Sequence, residues 1–178
     1  SEMLQLRHKV TNLGVLNLGI GNNRVTVPGG FGALAKARFD RDILGQSGVK
    51  KVIIFEGVND IGAAKSGSSE TVARQIIESI QGMMKKAKAR KMKVYLGTIT
   101  PFKGAGYYTH FHEAARLYVN DWIRSQAKNV DGILDFAKLL QDPQDERKMK
   151  REYASSDWLH PNPTGYKVMG TYAAEIVK

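Results

Sequence analysis

Short apolar runs alternate with longer helical segments along this chain, and this alternation restricts the possible fold more than any other feature. Residues 52–55, 93–97 and 132–135 have the length and apolar character of buried strands. The segments between them repeat apolar residues at helical spacing, most clearly over residues 70–90. Strands that alternate with helices favour a parallel sheet covered by helices on both faces. The sequence therefore predicts an α/β fold.

The expected arrangement has four strands and five helices in one domain over residues 1–178. No linker, internal repeat or low-complexity segment divides the chain. Ser68 or Ser69 is the expected N-cap of the helix that follows them. The predicted strands are residues 15–18, 52–55, 93–97 and 132–135, and the predicted helices are residues 1–7, 32–44, 70–90, 112–128 and 163–176.

Composition excludes several classes of protein. With 42% hydrophobic and 25% charged residues the chain has the balance of a soluble globular domain. No apolar stretch approaches the roughly 20 residues that span a bilayer, so we expect no membrane partner. The absence of cysteine excludes disulfides, Cys-based metal sites and a Cys nucleophile. It fits either side of a membrane and leaves the location of the protein unknown.

The chain has a net charge of +10, and its lysines and arginines cluster in two basic runs, residues 85–91 and 147–151. Such runs can attract nucleic acid. Neither run is interleaved with the aromatic residues that stack on single strands. Cations at helix ends also complement the helix dipole. We therefore interpret both runs as solvated helix ends and expect no nucleic-acid partner.

Asp157 and His160 lie three residues apart on a loop closed by Pro161 and Pro163. A carboxylate on one ring nitrogen of a histidine fixes its tautomer and leaves the other nitrogen free as a general base. A surface histidine beside an aspartate is commoner than a catalytic pair, so this spacing alone does not decide the function. A second segment supports the catalytic interpretation. Asn59 follows the predicted strand 52–55, and active sites of open α/β sheets lie where such strands end.

Together these segments resemble the SGNH (GDSL-type) hydrolases, which are serine esterases and acylhydrolases on a flavodoxin-like sheet. Residues 57–60, with Gly57, Asn59 and Asp60, match the third block of that family, and residues 157–161 match the fifth. Residues 17–24 are similar to the second block. The resemblance runs from about residue 16 to the C-terminus. It implies a three-layer α/β/α fold with a parallel sheet.

The resemblance also implies roles for individual residues. His160 would be the catalytic base, oriented by Asp157. The Asn59 side chain and a backbone N–H at Gly21 or Asn22 would form the oxyanion hole. Substrate contacts would come from Gly57, Asn23 and Arg24. No metal or organic cofactor is implied.

The implied substrates are acyl or acetyl esters, small or on a glycan. Residues 38–42 and 100–102 resemble the branch of the family near xylanase-associated acylesterases, which act on carbohydrate esters.

Two departures from the family pattern matter. Asn22 replaces a glycine of the second block, and Asn tolerates left-handed backbone better than most residues. The first block, Gly-Asp-Ser, is missing, and with it the nucleophile and the usual first strand. That strand would lie between residues 15–18 and 52–55, whose separation would then be about 10 Å.

We therefore expect an N-terminally incomplete ester hydrolase that is poorly active alone. A strand from a missing N-terminal segment or from another chain would fill the gap, or the two strands would move together. The alternative is a non-catalytic pseudoenzyme or binding module.

The remaining candidate residues carry weaker signals. His110-x-His112 has the spacing of a metal pair but no nearby carboxylate cluster. Ser155 and Ser156 are too close to His160 in sequence to reach its ring as nucleophiles from a rigid turn.

Overall fold

Three parallel strands form the centre of the computed structural model, which describes residue 9 and residues 12–178. Strand β1 is Lys51–Ile54, β2 is Lys93–Gly97 and β3 is Gly132–Leu134, in the spatial order β1-β2-β3. The first two strands align Val52 with Val94. Strands β2 and β3 align Leu96 with Ile133. Three of the four predicted strands are confirmed to within one residue.

Six α-helices surround this sheet in the part of the chain that the structure describes. The predicted helices beyond residue 31 are confirmed, although the first ends in a π-helical segment, Asp40–Leu44. Two short helices were not predicted because five or six residues are too few to show helical periodicity. The helix predicted at residues 1–7 lies outside the described residues. The helices are α1 (Ala35–Phe39), α2 (Val58–Ala63), α3 (Ser69–Ala89), α4 (His110–Ser125), α5 (Phe136–Leu140) and α6 (Pro163–Val177).

Helices cover the sheet on both faces, as an α/β fold requires. Helices α3 and α4 pack against the face that carries Val52, Val94 and Leu96. Helices α5 and α6 pack against the opposite face, beside Tyr95. Ile76 of α3 is fully buried, and burial of such a side chain contributes about 1.5–3 kcal/mol. The carboxyl ends of the strands therefore meet at one edge of a well-packed sheet.

One local prediction, the strand at residues 15–18, is wrong. Residues 15–18 form no strand, and Val15 and Leu16 are 53% and 62% exposed. A strand needs a hydrogen-bonded neighbour, and among the described residues this apolar run has none. Ser68 is the N-cap residue of α3, as predicted, although its hydroxyl donates to the carbonyl of Lys65 and makes no capping hydrogen bond to the helix.

A cavity of about 1210 Å³ lies along the edge of β1 that faces away from β2. We call it the β1 groove. Ile53 and Phe55 remain 44% and 39% exposed beside it. Among the described residues β1 pairs only with β2. The groove lies where the sequence predicts the missing strand, and its walls are residues 12–19, α1, residues 47–56, Met83 and the end of α6.

Candidate active site

Asp157 and His160 form a tightly bonded pair. Oδ2 of Asp157 lies 2.6 Å from Nδ1 of His160. Oδ1 accepts hydrogen bonds of 3.0 Å from the backbone N–H groups of both Leu159 and His160. The loop is closed by the Ser155 N–H, which donates to the carbonyl of His160. Because Nδ1 is engaged, Nε2 of His160 is the nitrogen available to take a proton.

The carboxyl of Asp157 stays ionised well below neutral pH. Burial raises its pKa, but hydrogen bonds from the His160 ring and from the backbone N–H groups of His160 and Leu159 outweigh burial. They lower the pKa of Asp157 to about 2. A carboxylate that remains charged can stabilise a protonated imidazole ring, which a general base needs during catalysis.

Asn59 sits in the first turn of α2, directly after the carboxyl end of β1. Its Nδ2 donates to the carbonyl of Asn23 at 3.0 Å. Its Oδ1 accepts from the hydroxyl of Tyr107 at 3.4 Å. Among the described residues, no group accepts from the second N–H of this amide. That N–H can bind a developing oxyanion.

Asp60 joins the segment around Asn59 to the turn that follows Asn23. Its carboxylate is fully buried. It accepts hydrogen bonds from the backbone N–H groups of Val25, Thr26 and Val27 at 2.8, 2.8 and 2.9 Å. The sequence pattern did not predict this role, although an aspartate directly after Asn59 at the start of a buried segment is a usable signal. These three charge-assisted hydrogen bonds hold α2 against the turn at residues 25–27.

The turn at Gly21 and Asn22 has free donors. Asn22 has a φ of +53°, the left-handed geometry expected for an asparagine that replaces a glycine. Its carbonyl accepts from the Phe31 N–H. Within the described part of the chain, the backbone N–H groups of Gly21 and Asn22 donate to no protein group. These N–H groups are therefore available to an external acceptor.

Comparison with known proteins identifies the family. The model of the GDSL-like lipase/acylhydrolase family matches residues 3–168. The chain belongs to this family. Membership in the family therefore supports hydrolase activity in general. That the chain belongs to the branch near xylanase-associated acylesterases stays a prediction. A search of curated proteins found no match.

Solved structures agree with this membership. A lipolytic protein of the G-D-S-L family from Desulfitobacterium hafniense DCB-2 is 27% identical with a TM-score of 0.64, over 80% of this chain and 73% of that one. A GDSL-like lipase from Bacteroides thetaiotaomicron VPI-5482 is 21% identical, with a TM-score of 0.61 over 80% and 66%. An acylhydrolase from Bacteroides fragilis NCTC 9343 is 22% identical, with a TM-score of 0.60 over 80% and 65%. The chain spans slightly less than two thirds of the last two, which show the fold alone.

The three residues expected to contact substrate in this GDSL-type chain have structural roles within the protein. The Asn23 side chain is 1% exposed, donates to the carbonyls of Phe31 and Ala33 and accepts from the guanidinium of Arg38. Arg24 donates to the carbonyl of Pro28 at 2.7 Å. Gly57 is buried with a φ of +116°, a backbone that favours glycine.

One loop contacts both halves of the GDSL-type site. Residues 98–109 follow β2, and their Tyr107 reaches Asn59. Gly104 of the same loop has a φ of +107°, and a Cβ there would lie 2.9 Å from the Trp158 ring. The loop therefore links the segment of Asn59 to the Asp157–His160 segment at the carboxyl edge of the sheet.

Glu56 stands at the end of β1 and lines the β1 groove. Burial raises its pKa to about 7, with a further rise from Asp60, although Arg38 at 3.6 Å lowers it. Arg38 also donates to the carbonyl of Leu18 and to Asp42. Arg38 is thus the centre of a polar network that the sequence pattern did not predict, because three of its partners, Leu18, Asn23 and Glu56, are distant in sequence.

The described residues contain no cluster of three or more His, Asp or Glu side chains that could hold a metal ion. His112 of the His110-x-His112 pair is buried, and both of its ring nitrogens face backbone carbonyls. No helix among the described residues is long and apolar enough to span a membrane.

Proposed function

We propose that this GDSL-type chain supplies the base and the oxyanion donors of a serine ester hydrolase. The observation that carries the proposal is the 2.6 Å contact between Asp157 and His160, which leaves Nε2 of His160 free. His160 takes the proton of a serine hydroxyl, and Asp157 orients and stabilises its ring. The oxyanion binds to the free N–H of Asn59 and to a backbone N–H at Gly21 or Asn22.

The nucleophile in this proposal is a serine on a strand that pairs with β1. Among the described residues, no hydroxyl group hydrogen-bonds the ring of His160. One edge of β1 has no partner strand in the part of the chain that the structure describes, and beside it the exposed Ile53 and Phe55 suit a strand that is apolar on both faces. The donor is a segment that precedes this sequence or a strand from another chain. In either case the serine reaches the sheet edge beside Asn59.

The proposed substrates are acyl or acetyl esters of small molecules or glycans. The side chains of His160 and Asp157 are 63% and 50% exposed. Because both side chains are exposed to solvent, they can reach an ester on a large carbohydrate as well as an ester of a small molecule. The chemistry assigned to these side chains uses neither a metal nor an organic cofactor.

Turnover of p-nitrophenyl acetate by the chain alone tests the assignment of the nucleophile. Loss of a triad nucleophile costs roughly 10⁶ in kcat. We therefore expect a rate barely above that of buffer, changed little by His160→Ala or by the control His110→Ala. Ordinary esterase rates that only His160→Ala abolishes would contradict the proposal, because a serine inside this sequence would then be the nucleophile.

A further inference from the structure

Tyr107 contacts the amide to which we assign oxyanion binding. It lies on the loop between β2 and α4, 48 residues from Asn59 in sequence. We propose that Tyr107 is a positioning residue that fixes the orientation of the Asn59 amide and strengthens its free N–H as a donor. This inference rests on the proposed function, because it deepens the role of Asn59.

The two contacts of Asn59 select one orientation of its amide. The carbonyl of Asn23 can only accept, so it requires the NH₂ group on its side, at 3.0 Å. The hydroxyl of Tyr107 donates to Oδ1 from the other side, at 3.4 Å. A flipped amide would face the Asn23 carbonyl with its own oxygen. A donor on Oδ1 also polarises the amide, which makes the remaining N–H a stronger donor.

Tyr107 is itself held in place by α2. Its ring lies so close to Gly62 that a Cβ at this position would collide with it. Any larger residue at position 62 would therefore displace Tyr107. Glycine in the last turn of a short helix weakens that helix, so contact with the ring accounts for its presence here.

His112 fixes the backbone of Tyr107. Its Nδ1 lies 2.5 Å from the carbonyl of Tyr107, and its Nε2 lies 2.8 Å from the carbonyl of Ala64, at the end of α2. The side chain is buried, and Thr109 caps the helix on which it stands. A neutral imidazole donates from one ring nitrogen only, so His112 hydrogen-bonds one of these carbonyls and packs against the other. The ring thus lies between the loop of Tyr107 and the helix of Asn59, and this placement gives His112 a role other than metal binding.

Amide resonances of the chain as it stands test the inference without any turnover. The side-chain NH₂ signals of Asn59 are identified by their loss in Asn59→Asp. We expect Tyr107→Phe to move these signals, because it removes the donor to Oδ1. The control Tyr118→Phe changes a tyrosine of α4 that is 47% exposed, and it should leave them in place. Unmoved signals in Tyr107→Phe would overturn the inference.

A double-mutant cycle with the serine-bearing strand supplied tests the kinetic consequence. Removal of an oxyanion donor costs roughly 10²–10³ in kcat, so loss of its polarising partner should cost less, about tenfold, with KM little changed. In the Asn59→Ala background Tyr107→Phe should have no further effect. Additive losses would overturn the inference. Failure of the proposed function looks different, because His160→Ala would then leave turnover unchanged while the amide signals still respond to Tyr107→Phe.

Discussion

Single side chains in this protein hold the site together across long sequence distances. Asp60 binds three backbone N–H groups of residues 25–27, and Arg38 binds the side chain of Asn23. Each bond joins a short helix to a loop that is distant in sequence. Glu56 differs from these two residues, because burial disfavours its charge without full compensation by Arg38.

Glu56 should make the protein less stable as pH rises from about 4.5 to about 7. Its pKa is raised from 4.5 to about 7, so in this range the folded state binds the proton more tightly than the unfolded state. The stabilisation is complete below the unfolded pKa and is lost as pH rises through the folded one, by at most roughly 3 kcal/mol. Asp42 and Asp157, whose pKa values are lowered to about 2, act below this window with the opposite sign.

Urea unfolding at pH 5 and at pH 7.5 measures this effect. Glu56→Gln should flatten the pH dependence of the free energy of unfolding. The control Glu78→Gln, at an exposed position of α3, should keep the wild-type dependence. The same fall in stability for wild type and Glu56→Gln would show that another group causes it.

At the scale of elements, the strand β1 departs most from an ordinary parallel sheet. Its only pairing partner among the described residues is β2. Unpaired strand edges with apolar side chains are templates for pairing with other chains. The 44% exposure of Ile53 adds an apolar surface to this edge. We therefore expect copies of the chain to associate with one another through β1.

Ile53→Lys should reduce self-association of the chain. A lysine on an exposed strand edge opposes pairing by charge and hydration. Leu117→Lys is the matched control, because Leu117 lies on α4 with the same exposure of 44%. Sedimentation velocity across a range of protein concentrations measures the effect. Equal association of wild type and both variants would exclude β1 as the contact.

The predictions from sequence succeeded where local patterns decide the structure. Periodicity located the strands and long helices, and the Asp-x-x-His spacing found the bonded pair of Asp157 and His160. The strand at residues 15–18 failed because a strand depends on a neighbour. The role of Tyr107 was beyond reach because its partner Asn59 is 48 residues away.

At the scale of the whole molecule, the proposed catalytic groups lie at the carboxyl end of a sheet whose outer strand β1 borders the β1 groove. Two apolar clusters fix the sheet between its helices, and the segments that carry the proposed dyad and the proposed oxyanion donors lie at its carboxyl edge. The groove of about 1210 Å³ runs beside the strand that leads to Asn59. We propose that a serine-bearing strand in this groove completes the catalytic site.

The most direct test adds an apolar peptide ending in Gly-Asp-Ser to the chain and measures both melting temperature and turnover of p-nitrophenyl acetate. A matched peptide ending in Gly-Asp-Ala separates pairing from chemistry. We predict that both peptides raise the melting temperature. Only the serine peptide should produce turnover, which His160→Ala should abolish. If neither peptide raises the melting temperature and no turnover appears, the groove does not accept a strand and the chain is not a hydrolase awaiting its serine.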